Sequence, residues 1–123
     1  MPIYLSTLED VRKAVFGGGF LGGGGGGSLE EGMRLGGAAV SFGTIEVVSV
    51  EEASGLIAAT VSSVGSQALG RGVLRSANYV EAFLELADKV EVDAIISSEN
   101  GGMNTLAPWP IAAGLGVPII DAP

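Results

Sequence analysis

Eleven consecutive positions, Gly17 to Gly27, hold nine glycines, interrupted only by Phe20 and Leu21. Glycine loses more backbone freedom on ordering than any other residue, so such a run is costly to order unless something needs bare backbone there. A site is one such need. The run ends at Ser28-Leu29-Glu30-Glu31, a capping-box pattern that opens a helix, and the first N–H groups of a helix have no partner within it. A glycine loop feeding a helix N-terminus therefore presents donors to an incoming group. The competing reading is a slack linker. Phe20 and Leu21 argue against it, as a bulky apolar pair that anchors the loop to a core.

Composition narrows the chemistry. The chain has 123 residues, a net charge of −8, and neither cysteine nor histidine. A thiolate nucleophile, a Ser-His-Asp triad and a zinc site with nitrogen or sulfur ligands cannot be assembled from these residues alone. The acidic balance and the lack of a Lys/Arg cluster exclude a counterion-displacing nucleic-acid face. No stretch has the length and apolarity of a membrane span, no signal pattern opens the chain, and a cytoplasmic address is the default expectation. The length suits a single α/β domain over residues 1–123.

Ser6-Thr7-Leu8-Glu9 reads as a capping box, with Val11 and Val15 at helical spacing, so a first helix is expected from Thr7 to Phe16. A second, weakened by Gly32, Gly36 and Gly37, runs from Ser28 to Val40. Thr44 to Val50 and Leu56 to Val64 read as strands, largely apolar and so covered on both faces. Ser76 to Val90 is an amphipathic helix, Asp93 to Ser98 a buried strand, Leu106 to Leu115 a helix and Val117 to Ile120 a final strand. This alternation predicts a layered α/β sandwich with a mostly parallel central sheet and the glycine-rich loop between the first two helices. Ligands of such sheets bind outside the carboxyl ends of the strands, where residues 65–72, Glu99 to Asn104, and Asp121 would lie.

Glu99-Asn100-Gly101-Gly102-Met103-Asn104 is the second concentration of interest. A carboxylate just past a buried strand, followed by glycines and an amide, sets a base or metal ligand beside several donors. The alternative is a solvated Glu99 with Asn104 capping a helix. Arg71 and Arg75 could neutralise a carboxylate ligand, or simply be solvated. A nucleotide reading of the glycine run is weak, since a dinucleotide fingerprint follows a strand and a phosphate loop ends in Gly-Lys-Ser/Thr.

Three segments in order, Phe20-Leu21 with the glycines after it, Glu99 to Asn104, and Val117-Pro118-Ile119-Ile120-Asp121-Ala122, resemble the N-terminal domain of the S-methyl-thiohydantoin desulfurase-like family, often labelled hydantoinase or oxoprolinase related. The family's usual forms are FLGTGGGG, E-x-GG-x-N and VVDA; here Gly23 stands at the usual threonine and Ser28 at a commonly acidic position. The resemblance implies hydrolysis of a cyclic amide, hydantoin or thiohydantoin-type ring. For such a reaction the expected catalytic residues are Glu99 as base or metal ligand, Asn104 holding a ring carbonyl oxygen together with glycine-loop N–H groups, and Asp121 orienting a partner residue, with Gly23, Gly24, Gly25, Gly26, Ser28, Gly101 and Gly102 against the substrate. Family members continue into a glycine-, arginine- and histidine-containing stretch and a β-rich second domain, neither of which is in this sequence. The expectation is therefore the small subunit of a two-chain hydrolase in a higher oligomer, a partner polypeptide completing the site. Glu99 is the one candidate metal ligand, and a divalent metal would need further ligands from that partner. The alternatives are a non-catalytic scaffold or binding subunit, and a nucleotide-binding domain.

Overall fold

The computed structural model describes residues 1–63 and 74–122. Strand β1 (Ile3–Leu5) precedes helices α1 (Leu8–Leu21) and α2 (Leu29–Phe42), then come β2 (Ile45–Val48), β3 (Ala58–Val61), α3 (Ser76–Ala87), β4 (Ala94–Ser97), a 3-10 turn (Asn104–Leu106), α4 (Trp109–Leu115) and β5 (Ile119–Ile120). The sheet order is β1-β2-β5-β4-β3, with β1 antiparallel and the other pairings parallel. The α/β class and mostly parallel sheet are as the alternation predicts. The edge strand β1 has no sequence reading behind it, because three residues are too few to show a period.

Successive side chains of a strand point to opposite faces, and the two faces here differ. Ile45, Val61, Ile95 and Ile119 join Val11 and Val15 of α1, Leu35 of α2, Phe83 of α3 and Ile111 of α4 in one core. The opposite face gathers Val48, Ala94 and Ile120 with Ala53 of the β2–β3 connection, and among the described residues no helix takes part. The apolar runs led to the expectation of cover on both faces, yet Ala58 and Thr60 of β3 are exposed. Short β-branched strands carry little alternation from which to tell a half-covered sheet from a fully covered one.

Helix α1 begins one residue later than its capping pattern suggests. Thr7 Oγ1 accepts from Asp10 N (3.1 Å), while Asp10 Oδ2 accepts from Ser6 N (2.9 Å) and Thr7 N (3.0 Å). Glu9 instead turns to Arg12 (2.7 Å). The helix also continues past Phe16, through Gly17 to Gly19, as far as Leu21. Tertiary packing overrides propensity there, since a Cβ on Gly18 would meet Gly101 O at 2.5 Å and collide with Thr105. Phe20 and Leu21 anchor nothing in this chain, being 85% and 68% exposed on α1. The connection between the helices is thus residues 22–28. The last predicted helix divides into the 3-10 turn and α4, with Pro108 between them.

Helix α2 crosses the 99–104 segment at a glycine. A Cβ on Gly32 would overlap the Gly102 carbonyl oxygen, whereas one on Gly37, a turn and a half along, would meet only Leu8 Cδ2 at 3.8 Å. Gly32→Ala should cost about 1–3 kcal/mol through overpacking, although alanine is the better helix former. Gly37→Ala should stabilise by roughly 0.5–1 kcal/mol. Urea unfolding of the two variants checks the opposite signs.

The Asp10 carboxyl is held below its ordinary value by the Ser6 and Thr7 N–H groups. A lowered folded-state pKa means that its contribution is complete above the unfolded value and is lost as pH falls through the folded one. The Tm difference between wild type and Asp10→Ala should therefore be full near neutral pH and shrink on acidification below about pH 4.

Candidate functional site

The register aligns the strand ends. Val61 lies opposite Ser97 and Ile95 opposite Ile119, so the residues following β3, β4 and β5 emerge at one edge of the sheet. Ser63, Glu99 and Asp121 belong to this edge. Residues 65–72, also expected there, and with them Arg71, lie outside the described residues.

After β4 the chain turns through a network centred on Asn104, which is 3% exposed. Its Nδ2 donates to Glu99 Oε1 (2.7 Å) and its Oδ1 accepts from Ser63 Oγ (3.3 Å). Its backbone is held as well, with N–H donating to Gly26 O (2.9 Å) and carbonyl accepting from Ser97 Oγ (2.7 Å). Ser97 Oγ lies equally close to Glu99 O (2.7 Å), so one hydroxyl proton serves both ends of the turn. Thr105 Oγ1 adds a second clasp, accepting from Gly101 N (3.1 Å) and donating to Asn100 Oδ1 (3.0 Å). A buried amide with these partners fixes one oxygen of an otherwise exposed carboxylate. The helix-capping alternative for Asn104 does not describe what its side chain does.

The glycine loop packs against this turn, backbone on backbone. Gly26 O accepts from both Met103 N (3.0 Å) and Asn104 N, and a Cβ on Gly26 would stand 2.5 Å from Gly101 Cα. Gly22 meets Asn100 O in the same way, at 2.8 Å. Gly101 and Gly102 are buried in return. Gly23 and Gly24 differ, with positive φ (59° and 97°) and open space around a Cβ. Gly25 is also exposed; its N–H donates to Gly22 O (3.0 Å), and a Cβ there would stand in ordinary contact with that oxygen, at 3.5 Å. Among the described residues the N–H groups of Gly24, Gly26 and Gly27 meet no acceptor. Ser28 caps α2, accepting from Glu31 N (3.1 Å).

The expected residues thus fall into separate environments. Glu99 and Asn104 are hydrogen-bonded to each other, Gly26 joins them through its carbonyl, and Gly101 and Gly102 form the floor. Asp121 is exposed and placed by its N–H to Val48 O (2.8 Å). Ser63 and Ser97 are the members that the sequence did not single out. Their position past a strand end was the available signal. Met103 and Trp109 are core residues. Among the described residues no three carboxylates gather as a metal site, and no helix is long and apolar enough to cross a membrane.

A sheet edge carrying an oriented carboxylate beside a bare glycine loop defines the class, an α/β domain with a polar site at its strand ends. The chain belongs to the family described as S-Me-THD-like, N-terminal domain, whose model matches residues 9–123. No curated protein matches it closely. A crystal structure of a protein from Chromobacterium violaceum is similar with a TM-score of 0.76 and 24% identity, over 98% of this chain and 34% of that one. That likeness is one of fold, and the chain spans about a third of that protein's length.

Truncating Asn104 leaves Ser63 Oγ and Glu99 Oε1 without their partner. Asn104→Ala should therefore cost about 1–3 kcal/mol. Gly24→Ala, strained but unobstructed, should cost about 1 kcal/mol. Chemical denaturation of the two variants gives both values.

Proposed function

We propose that this chain is the smaller subunit of a two-chain hydrolase that opens a cyclic amide, hydantoin or thiohydantoin-type ring, and that a second polypeptide carrying the rest of the family fold completes the active site. The family's description, an N-terminal domain of S-Me-THD-like proteins, supports the reading that a further domain takes part. The observation that carries the reading is the Asn104 Nδ2 to Glu99 Oε1 hydrogen bond, which aims an exposed carboxylate from a buried amide.

In this reading Glu99 acts as general base. Its carboxylate takes a proton from water as the oxygen adds to the ring carbonyl, and the proton passes to the ring nitrogen as the C–N bond breaks. Gly24, Gly26 and Gly27 present N–H groups to the developing oxyanion, a contribution of ~3 kcal/mol per well-placed donor. Gly23 and Gly25 keep the approach free of side chains, and Gly101 and Gly102 hold the turn against Gly26. Asn104 is a positioning residue, its amide being engaged by Glu99 and Ser63. Asp121 orients a residue of the partner. Were Glu99 a ligand of a divalent metal instead of the base, the metal would polarise the carbonyl, and the base and the other ligands would come from the partner.

The alternative is a scaffold subunit whose glycines permit close packing against the partner; Gly26, Gly32, Gly101 and Gly102 are already accounted for by close packing within the chain, so they do not by themselves argue for a substrate. Substitution at Glu99 separates the two. In the assembled enzyme Glu99→Gln should lower kcat by about 10²–10⁴-fold on a hydantoin substrate, with assembly unchanged by native mass spectrometry. Unaltered turnover removes Glu99 from the chemistry and leaves the scaffold role.

A further inference from the structure

Away from the sheet edge, α2, α3 and α4 enclose an open cleft of about 540 Å³. It exists because small residues stand where the three helices would otherwise interdigitate. Ala38 and Ala39 come from α2, Ala77 from α3 and Gly114 from α4, and a Cβ on Gly114 would meet nothing within 4 Å. Phe42, Val80, Pro110 and Leu115 complete an apolar lining. The volume falls in the range of about 300–1,000 Å³ usual for small-molecule sites.

Two of the six cations in the chain, Arg34 and Arg75, line the same cleft. Arg34 Nη2 donates to Leu74 O (2.7 Å), which brings its guanidinium to the residue preceding Arg75. The ion pairs among the described residues are Met1 with Glu52, Arg12 with Glu9 and Lys89 with Glu85. Neither cleft arginine is in one, although the chain carries 14 carboxylate side chains. Two arginines lining one apolar cleft, in a chain of net charge −8, suit an anion with an apolar body. None of these residues belongs to the Glu99 network.

We propose that this cleft binds an amphipathic carboxylate, its apolar body against Ala38, Val80 and Leu115 and its carboxylate on the guanidinium groups of Arg34 and Arg75. The site is independent of the reading of Glu99. The probe is 4-phenylbutyrate, with 4-phenylbutanol as its uncharged counterpart, titrated into the full 15N-labelled chain. Saturable shifts confined to α2, α3 and α4 are expected, with the alcohol at least tenfold weaker. Arg75→Gln, an exposed change, should weaken the carboxylate roughly tenfold and leave the alcohol unaffected. Ala77→Leu, which fills the cleft, should abolish both, and its urea midpoint shows whether it folds. Absence of shifts at millimolar probe, equal affinity for the alcohol, or indifference to Arg75→Gln would overturn the proposal.

Discussion

The structure depends on the contact of two glycine backbones, Gly26 lying on Gly101 with no side chain between them. The approach is closer than any Cβ would tolerate, and it lets the Gly26 carbonyl accept two N–H groups from the turn beyond β4. That turn then has a fixed path, and Asn104 reaches Glu99 and Ser63 from a buried position. Gly18 and Gly32 extend the same contact onto α1 and α2, so that both helices lie against the segment carrying the carboxylate. The entropy lost in ordering the glycines is offset by burial of the residues that their closeness brings together.

A one-sided fold follows from this arrangement. With α1 and α2 drawn onto the same layer as α3 and α4, the helices bury one face of the sheet, and among the described residues the other is packed by Ala53 of the β2–β3 connection and Ala122. The helical layer has its own gap, because the alanines and Gly114 that keep α2, α3 and α4 close leave a cleft with two arginines beside it. The polar site at the strand ends and the apolar cleft thus arise from one device, small residues at helix contacts, used with opposite results. In the first, backbone fills the space, and in the second no described residue does.

The alternation of strands and helices along the chain determined the α/β class and the parallel sheet, because each period reflects which faces are apolar. The Glu99 to Asn104 motif was legible as a candidate site, since a carboxylate past a buried strand emerges at the sheet edge whatever the loop does. Tertiary structure alone decided that Gly17 to Gly19 are helical, that Phe20 points outward, and that Asn104 grips Glu99 rather than caps a helix. It also gave Ser63 and Ser97 their partners and set Arg34 beside Arg75. The physical reason is that glycine carries no side chain and hence no local preference strong enough to read. Its conformation is settled by whatever backbone comes to lie against it.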